Sequence, residues 1–163
     1  MKEKLTIQLK KHEGVRLQVY KCTAGFLTIG VGRNLETKGL SKEECDKLNI
    51  GAYLISEVIE VLKNRGITEE ESEWLLSNDI DDVTDQLSKR LFGFRSLPER
   101  AKIVIIDMAF NMGISGLLKF AKTLALINSG KYKEASVEML SSKWAKEVGY
   151  RAIELSNQLK SIS

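Results

Sequence analysis

Glu13, Cys22 and Thr28 stand with eight and then five residues between them, and Thr28 opens the run Thr28-Ile29-Gly30-Val31-Gly32-Arg33-Asn34. A carboxylic acid, a thiol and a hydroxyl are a compact chemical set. The acid can give up a proton, the sulfur can attack or take a proton, and the hydroxyl can hold a water.

These groups need a scaffold, and local patterns suggest one. Thr23-Ala24-Gly25 fits a three-residue hairpin loop, with Gly25 free to take the positive φ required at its last position. That loop pairs Cys22 with Phe26 and Tyr20 with Thr28. Side chains alternate along a strand, so Tyr20, Cys22, Phe26 and Thr28 share one face, while Leu27, Ile29 and Val31 line the opposite, buried one. Leu5, Leu9 and Glu13 recur at helical spacing, followed by Gly14 just past the helix end. The alternation of Leu5, Ile7 and Leu9 also fits a strand, but the cationic last turn Lys10-Lys11-His12 favours the helix. A carboxyl in that last turn faces the negative end of the helix dipole, a setting suited to a proton donor.

With Pro98 as its one proline, the chain reads as long helices joined by short turns. Ser41 with Glu44, and Thr68 with Glu71, form two capping boxes that mark helix starts. Between them, Ala52 to Leu62 predicts a buried helix ended by Asn64-Arg65-Gly66. A long helix is expected from Thr68 to about Lys89. Pro98-Glu99 then opens the most apolar element, with Ile103, Val104, Ile105, Met108, Ala109 and Met112, which belongs at the centre of a bundle. Shorter helices are expected near 116–128, 132–140 and 148–159. The expected class is α+β and predominantly helical.

Composition limits the function classes. At 163 residues, 43% hydrophobic and 29% charged, the sequence has the balance of a soluble globular protein. A net charge of +3 suits approach to an anionic wall but falls short of a nucleic-acid footprint. No long apolar run follows Met1-Lys2-Glu3-Lys4, so neither a signal peptide nor a membrane span is expected. Cys22 and Cys45 are expected as free thiols in a reducing compartment, with Cys45 a helix residue of no chemical role. No metal-ligand cluster or cofactor motif stands out, and His12 points about 100° away from Glu13 on a helix.

The triad and its following run resemble the phage-type lysozymes, the endolysins of glycoside hydrolase family 24. Their pattern is a Glu at the end of the first helix, an Asp on the first hairpin, a Thr on the next strand and then Thr-[Ile/Val]-Gly-x-Gly. Glu13, Thr28 and Thr28-Ile29-Gly30-Val31-Gly32 fit it, and Cys22 stands where the Asp is usual. Gly66-Ile67-Thr68-Glu69-Glu70-Glu71, Ala109-Phe110-Asn111-Met112-Gly113, Ser142-Lys143-Trp144 and Arg151-Ala152 resemble later landmarks in the same order.

The resemblance implies one lysozyme domain over residues 1–163. Its sheet lobe would span about 14–65 and its helical lobe 90–163 with helix 1–13, joined by a helix over about 68–89, with a polysaccharide lying between the lobes. It implies hydrolysis of the bond between N-acetylmuramic acid and N-acetylglucosamine in peptidoglycan, for host lysis. The protein would be a monomer without cofactor, nucleic acid or membrane insertion, made in the host cytoplasm and admitted to the wall by a separate membrane-permeabilising protein.

Glycoside hydrolysis needs an acid for the leaving oxygen and a second group for the attacking water or the oxocarbenium-like centre. Glu13 is the acid on this reading, and Thr28 the water holder. At an ordinary thiol pKa only about 3% of Cys22 would be ionised at pH 7, so Cys22 is a nucleophile, a base or a packing residue. The resemblance also places Gly32, Asn34, Phe110 and Thr123 as substrate contacts and Arg151 as a partner of Glu13. Arg33 with Asp79 becomes an ion pair from sheet to long helix, which if exposed would contribute at most about 1 kcal/mol. A lytic transglycosylase, with Glu13 moving both protons, and a catalytically silent wall-binding protein are the alternatives.

Overall fold

The structure, a computed structural model, describes residues 1–162. It has the expected α+β, mostly helical character, and the chain separates into two compact units, Lys2–Asp79 and Ile80 onward with Met1. Helix α1 thus belongs to the same unit as the sheet.

In the first unit, α1 (Lys2–Glu13) leads into β1 (Arg16–Lys21), β2 (Leu27–Gly30) and β3 (Arg33–Asn34), then α2 (Lys42–Lys47), α3 (Ile55–Arg65) and the first half of α4 (Glu69–Arg90). The strands form an antiparallel sheet in the order β1-β2-β3. Its inner face carries Ile29 into a core with Leu35, Cys45, Leu48, Val58, Leu62 and Leu75. Both capping boxes form. Ser41 Oγ accepts from Glu44 N while Glu44 Oε1 accepts from Ser41 N, and Thr68 and Glu71 exchange the same bonds at 2.9 and 3.1 Å. Helix α3 differs from expectation. It starts at Ile55, and Tyr53, Leu54 and Ile55 are 55%, 66% and 48% exposed, so that Val58, Ile59 and Leu62 are buried in the core with Val61 packed against it. A tract apolar on most sides has too little neighbouring surface to bury all of it.

The buried centre of this unit is polar. Arg33, only 2% exposed, donates from Nη1 and Nη2 to the two carboxylate oxygens of Glu44 at 2.9 Å each. Its Nε bonds Asp79 at 3.0 and 3.1 Å, and the carbonyls of Gly39 and Leu75 take its remaining reach at 3.0 and 3.3 Å. Lys38 pairs with Asp79, and Asn78 Nδ2 donates to Glu44 at 2.9 Å. The ion pair expected between Arg33 and Asp79 is therefore part of a buried network with Glu44 as a further member.

The second unit holds the rest of α4, a 3₁₀ turn at Phe94–Ser96, α5 (Glu99–Leu118), α6 (Ala121–Asn128), α7 (Tyr132–Leu140), α8 (Lys143–Val148) and α9 (Tyr150–Lys160). By length and composition α5 could cross a membrane. Its Ala101, Ile103, Val104, Ile105, Ile106, Met108 and Ala109 are instead buried within the protein, and Gly113 at φ 78°, ψ 161° breaks its helical geometry. One helix break falls inside an expected helix. Phe120 is non-helical, so α5 and α6 share the stretch assigned to one helix near 116–128, whereas Gly149, at φ 60°, separates α8 from α9 close to the expected start at 148.

The network makes two predictions. Replacing Arg33 by Met strands two carboxylates in a buried setting and is expected to cost about 3–5 kcal/mol in urea unfolding. Burial opposes ionisation of Glu44, yet the Arg33 guanidinium, Asn78 and the Ser41 amide outweigh it and hold its carboxyl down at about 2. Because the folded value lies below the unfolded one, its stabilisation is complete above about pH 4.5 and is lost as pH falls towards 2. The contribution is on the order of 3 kcal/mol. Unfolding midpoints measured against pH should show this slope in the parent and its loss in Glu44→Gln.

Candidate functional site

Glu13 is the last residue of α1, a helix anchored by Leu5 and Leu9, which are both fully buried. Gly14, at φ 77°, ends it and donates its N–H to Lys10 O at 3.0 Å. Lys10 Nζ reaches Glu73 Oε1 at 2.7 Å and ties the helix end to α4. The half-buried Glu13 side chain lies against the exposed turn between β2 and β3, where a methyl on Gly32 would sit 3.6 Å from Glu13 Oε2. Gly32 has φ 76°, so the turn needs glycine for its backbone, while the added methyl would make only an ordinary contact with Glu13.

The hairpin forms in the expected register. Tyr20 faces Thr28 across the ladder, Cys22 N donates to Phe26 O at 2.9 Å, and Gly25, at φ 89°, donates to Cys22 O at 2.8 Å. The Phe26 N–H does most to hold the Cys22 thiol below its ordinary range. Partial burial opposes this, and the Ala24 and Gly25 N–H groups and the Thr28 hydroxyl add to the lowering. Thr28 is 3% exposed and donates at rest to Phe26 O at 2.9 Å, leaving its hydroxyl within reach of the sulfur. Acid, thiol and hydroxyl thus lie in one unit, on α1, the hairpin loop and β2. Cys45 differs in every respect: it is 1% exposed in the core, where burial pushes its thiol up.

Other expected site residues have additional or different surroundings. Asn34 Oδ1 accepts the N–H groups of Glu36 and Thr37 at 2.9 and 3.0 Å, so that oxygen holds a turn. In the second unit Phe110 is half-buried on α5. Thr123 is 2% exposed, in the wall of a pocket of about 250 Å³ with Lys119, Lys122, Glu138 and Ser142. Arg151 Nε donates to Asp107 Oδ1 at 2.7 Å, and its Nη2 reaches Asp107 O at 3.3 Å. Asp107 is fully buried and escaped the sequence reading; a carboxylate inside the most apolar helix was its signal. Trp144 Nε1 donates to Asn111 Oδ1 at 2.7 Å, joining two of the sequence landmarks.

The profile of the phage lysozyme family matches residues 10–158. A "Probable T4-type lysozyme 2" of Dictyostelium discoideum is 33% identical over 148 residues, 88% of this chain and 86% of that protein. An "Endolysin" of Acyrthosiphon pisum secondary endosymbiont phage 1 is 30% identical over 144 residues, 88% of this chain and 79% of that one. The "Pre-baseplate central spike protein Gp5" of Enterobacteria phage T4 is 30% identical over 149 residues, 88% of this chain but 25% of that protein.

Alkylation of the folded protein by iodoacetamide, followed by mass, tests the hairpin's effect on the thiol. Cys22 should react with a midpoint below that of a free thiol, and at least about 100-fold faster than Cys45 at neutral pH. Thr28→Val removes one donor and should move the Cys22 midpoint upward while leaving Cys45 unchanged.

Proposed function

The chain belongs to the phage lysozyme family, and from that premise we propose that it is an endolysin muramidase acting at Glu13, Cys22 and Thr28. It is a glycoside hydrolase of the lysozyme type, acting on peptidoglycan. The bond we assign is that between N-acetylmuramic acid and N-acetylglucosamine. The observation that carries the assignment is the Glu13 carboxyl at the end of α1, seated against the Gly32 turn in the same unit as the Cys22 hairpin.

Glu13 protonates the leaving glycosidic oxygen. Cys22 then acts as the thiolate in one of two ways. It attacks the anomeric carbon, forming a carbon–sulfur bond that water later displaces with overall retention, or it takes a proton from a water that attacks directly with inversion. Thr28 serves either path, steadying the thiolate or holding the water. The Gly32 turn lets a sugar approach the backbone beside Glu13. The endolysin relative supports host lysis as the biological role; to this reading we add synthesis in the host cytoplasm, action as a monomer and release to the wall by a separate membrane-permeabilising protein.

Turnover of purified peptidoglycan, with products resolved by mass, tests the assignment. The parent should release muropeptides with free reducing ends, and anhydro products would replace this reading with a transglycosylase. Glu13→Gln should lower kcat by at least about 100-fold. Cys22→Ala should be similarly impaired, while Cys22→Asp should retain activity. The acid limb of the parent's pH profile should follow ionisation of the lowered thiol, and in Cys22→Asp it should move down towards the carboxylate range, near about pH 4.

A further inference from the structure

Tyr20 takes no part in the chemistry above, yet it stands in the middle of it. It lies directly across the ladder from Thr28 and two residues before Cys22, so strand alternation turns its ring to the face that carries both. The ladder is irregular between Arg16 and Tyr20, and the Arg16 guanidinium carbon lies 4.5 Å from the centre of the Tyr20 ring. A cation over the ring face fixes the ring and leaves the hydroxyl unengaged. Among the described residues none forms a hydrogen bond with that hydroxyl. Partial burial first, and then the negative charges of Glu13 and Cys22, keep the phenol protonated above its ordinary range, with Arg16 opposing.

We propose that Tyr20 is a substrate-contacting residue whose hydroxyl donates a hydrogen bond to the acetamido carbonyl beside the anomeric carbon of the sugar being cleaved. This rests on the muramidase reading of the same site. A half-buried donor held by its own strand neighbour, with no protein acceptor, is preorganised for an acceptor that arrives with the ligand. The bond is made as the sugar ring distorts towards the oxocarbenium-like state, where contacts to the substituent at this carbon strengthen. Its effect therefore falls on kcat more than on KM.

The test is Tyr20→Phe, which keeps the ring and the Arg16 stack, assayed on peptidoglycan and on the same material chemically de-N-acetylated. On acetylated substrate the variant should lose about tenfold in kcat, with KM within about twofold, an unchanged unfolding midpoint and an unchanged alkylation midpoint at Cys22. On de-N-acetylated substrate the parent should be slowed by a similar factor and the variant should lose nothing further. Parent-like kcat in Tyr20→Phe on acetylated substrate overturns the proposal, as do two losses that multiply independently. A shifted Cys22 alkylation midpoint also overturns it, since Tyr20 would then act through the thiol. A parent inactive on both substrates would instead defeat the muramidase reading, which keeps the two failures distinct.

Discussion

The buried guanidinium of Arg33 is the constraint on which the first unit depends. Strand β3 has only two residues, and its ladder pairs are Thr28 with Asn34 and Ile29 with Arg33. So short a strand cannot fix its own position by backbone bonds alone. Arg33 supplies the missing anchor by engaging Glu44 on α2, Asp79 and the Leu75 carbonyl on α4, and the Gly39 carbonyl in the connecting turn. Because β3 pairs with β2 at Thr28, the anchor that holds β3 also holds the strand bearing the site hydroxyl.

Arg33 suits this position for a physical reason. Desolvation of a guanidinium is costly, and only a full set of acceptors in its planar fork offsets it. Two carboxylates and two carbonyls provide that set, and Asn78 and Ser41 in turn occupy Glu44. Glu44 therefore has two duties, closing the capping box of α2 and neutralising Arg33. A single carboxylate thereby links the start of a local helix to the register of the sheet, so that a helix boundary and a strand position are set together.

The hairpin and the helix starts were legible in the sequence because their signals are local. Gly25, Gly14 and the two capping boxes each specify backbone geometry within four residues, and the structure has all of them. What the sequence did not disclose depends on distant partners. Glu44 reads as a cap and nothing more until Arg33 is brought to it, and the exposure of Tyr53 and Leu54 depends on how much surface α2 and the sheet can offer. Asp107 with Arg151 is the same case in the second unit, since 44 residues separate the two charges. The fold class was legible from helix-length apolar patterns, whereas the break at Phe120 turns on backbone angles that periodicity averages away.

A thiol at the head of the hairpin loop raises the question of how a negative charge could be supplied there. An aspartate brings its own negative charge at neutral pH, whereas a thiol must be persuaded to ionise. The groups that hold the Cys22 thiol low are the backbone N–H groups of Phe26, Ala24 and Gly25, with the Thr28 hydroxyl. Those amides are oriented by the turn itself, which Gly25 makes possible by its positive φ. The feature that closes the hairpin therefore also creates the electrostatic setting of its first residue. An anion at this point is favoured by backbone geometry whichever side chain bears it, so carboxylate and thiolate can occupy the same place without a change in fold. The difference between them is then one of pH and of nucleophilicity, and it is carried by the sulfur alone.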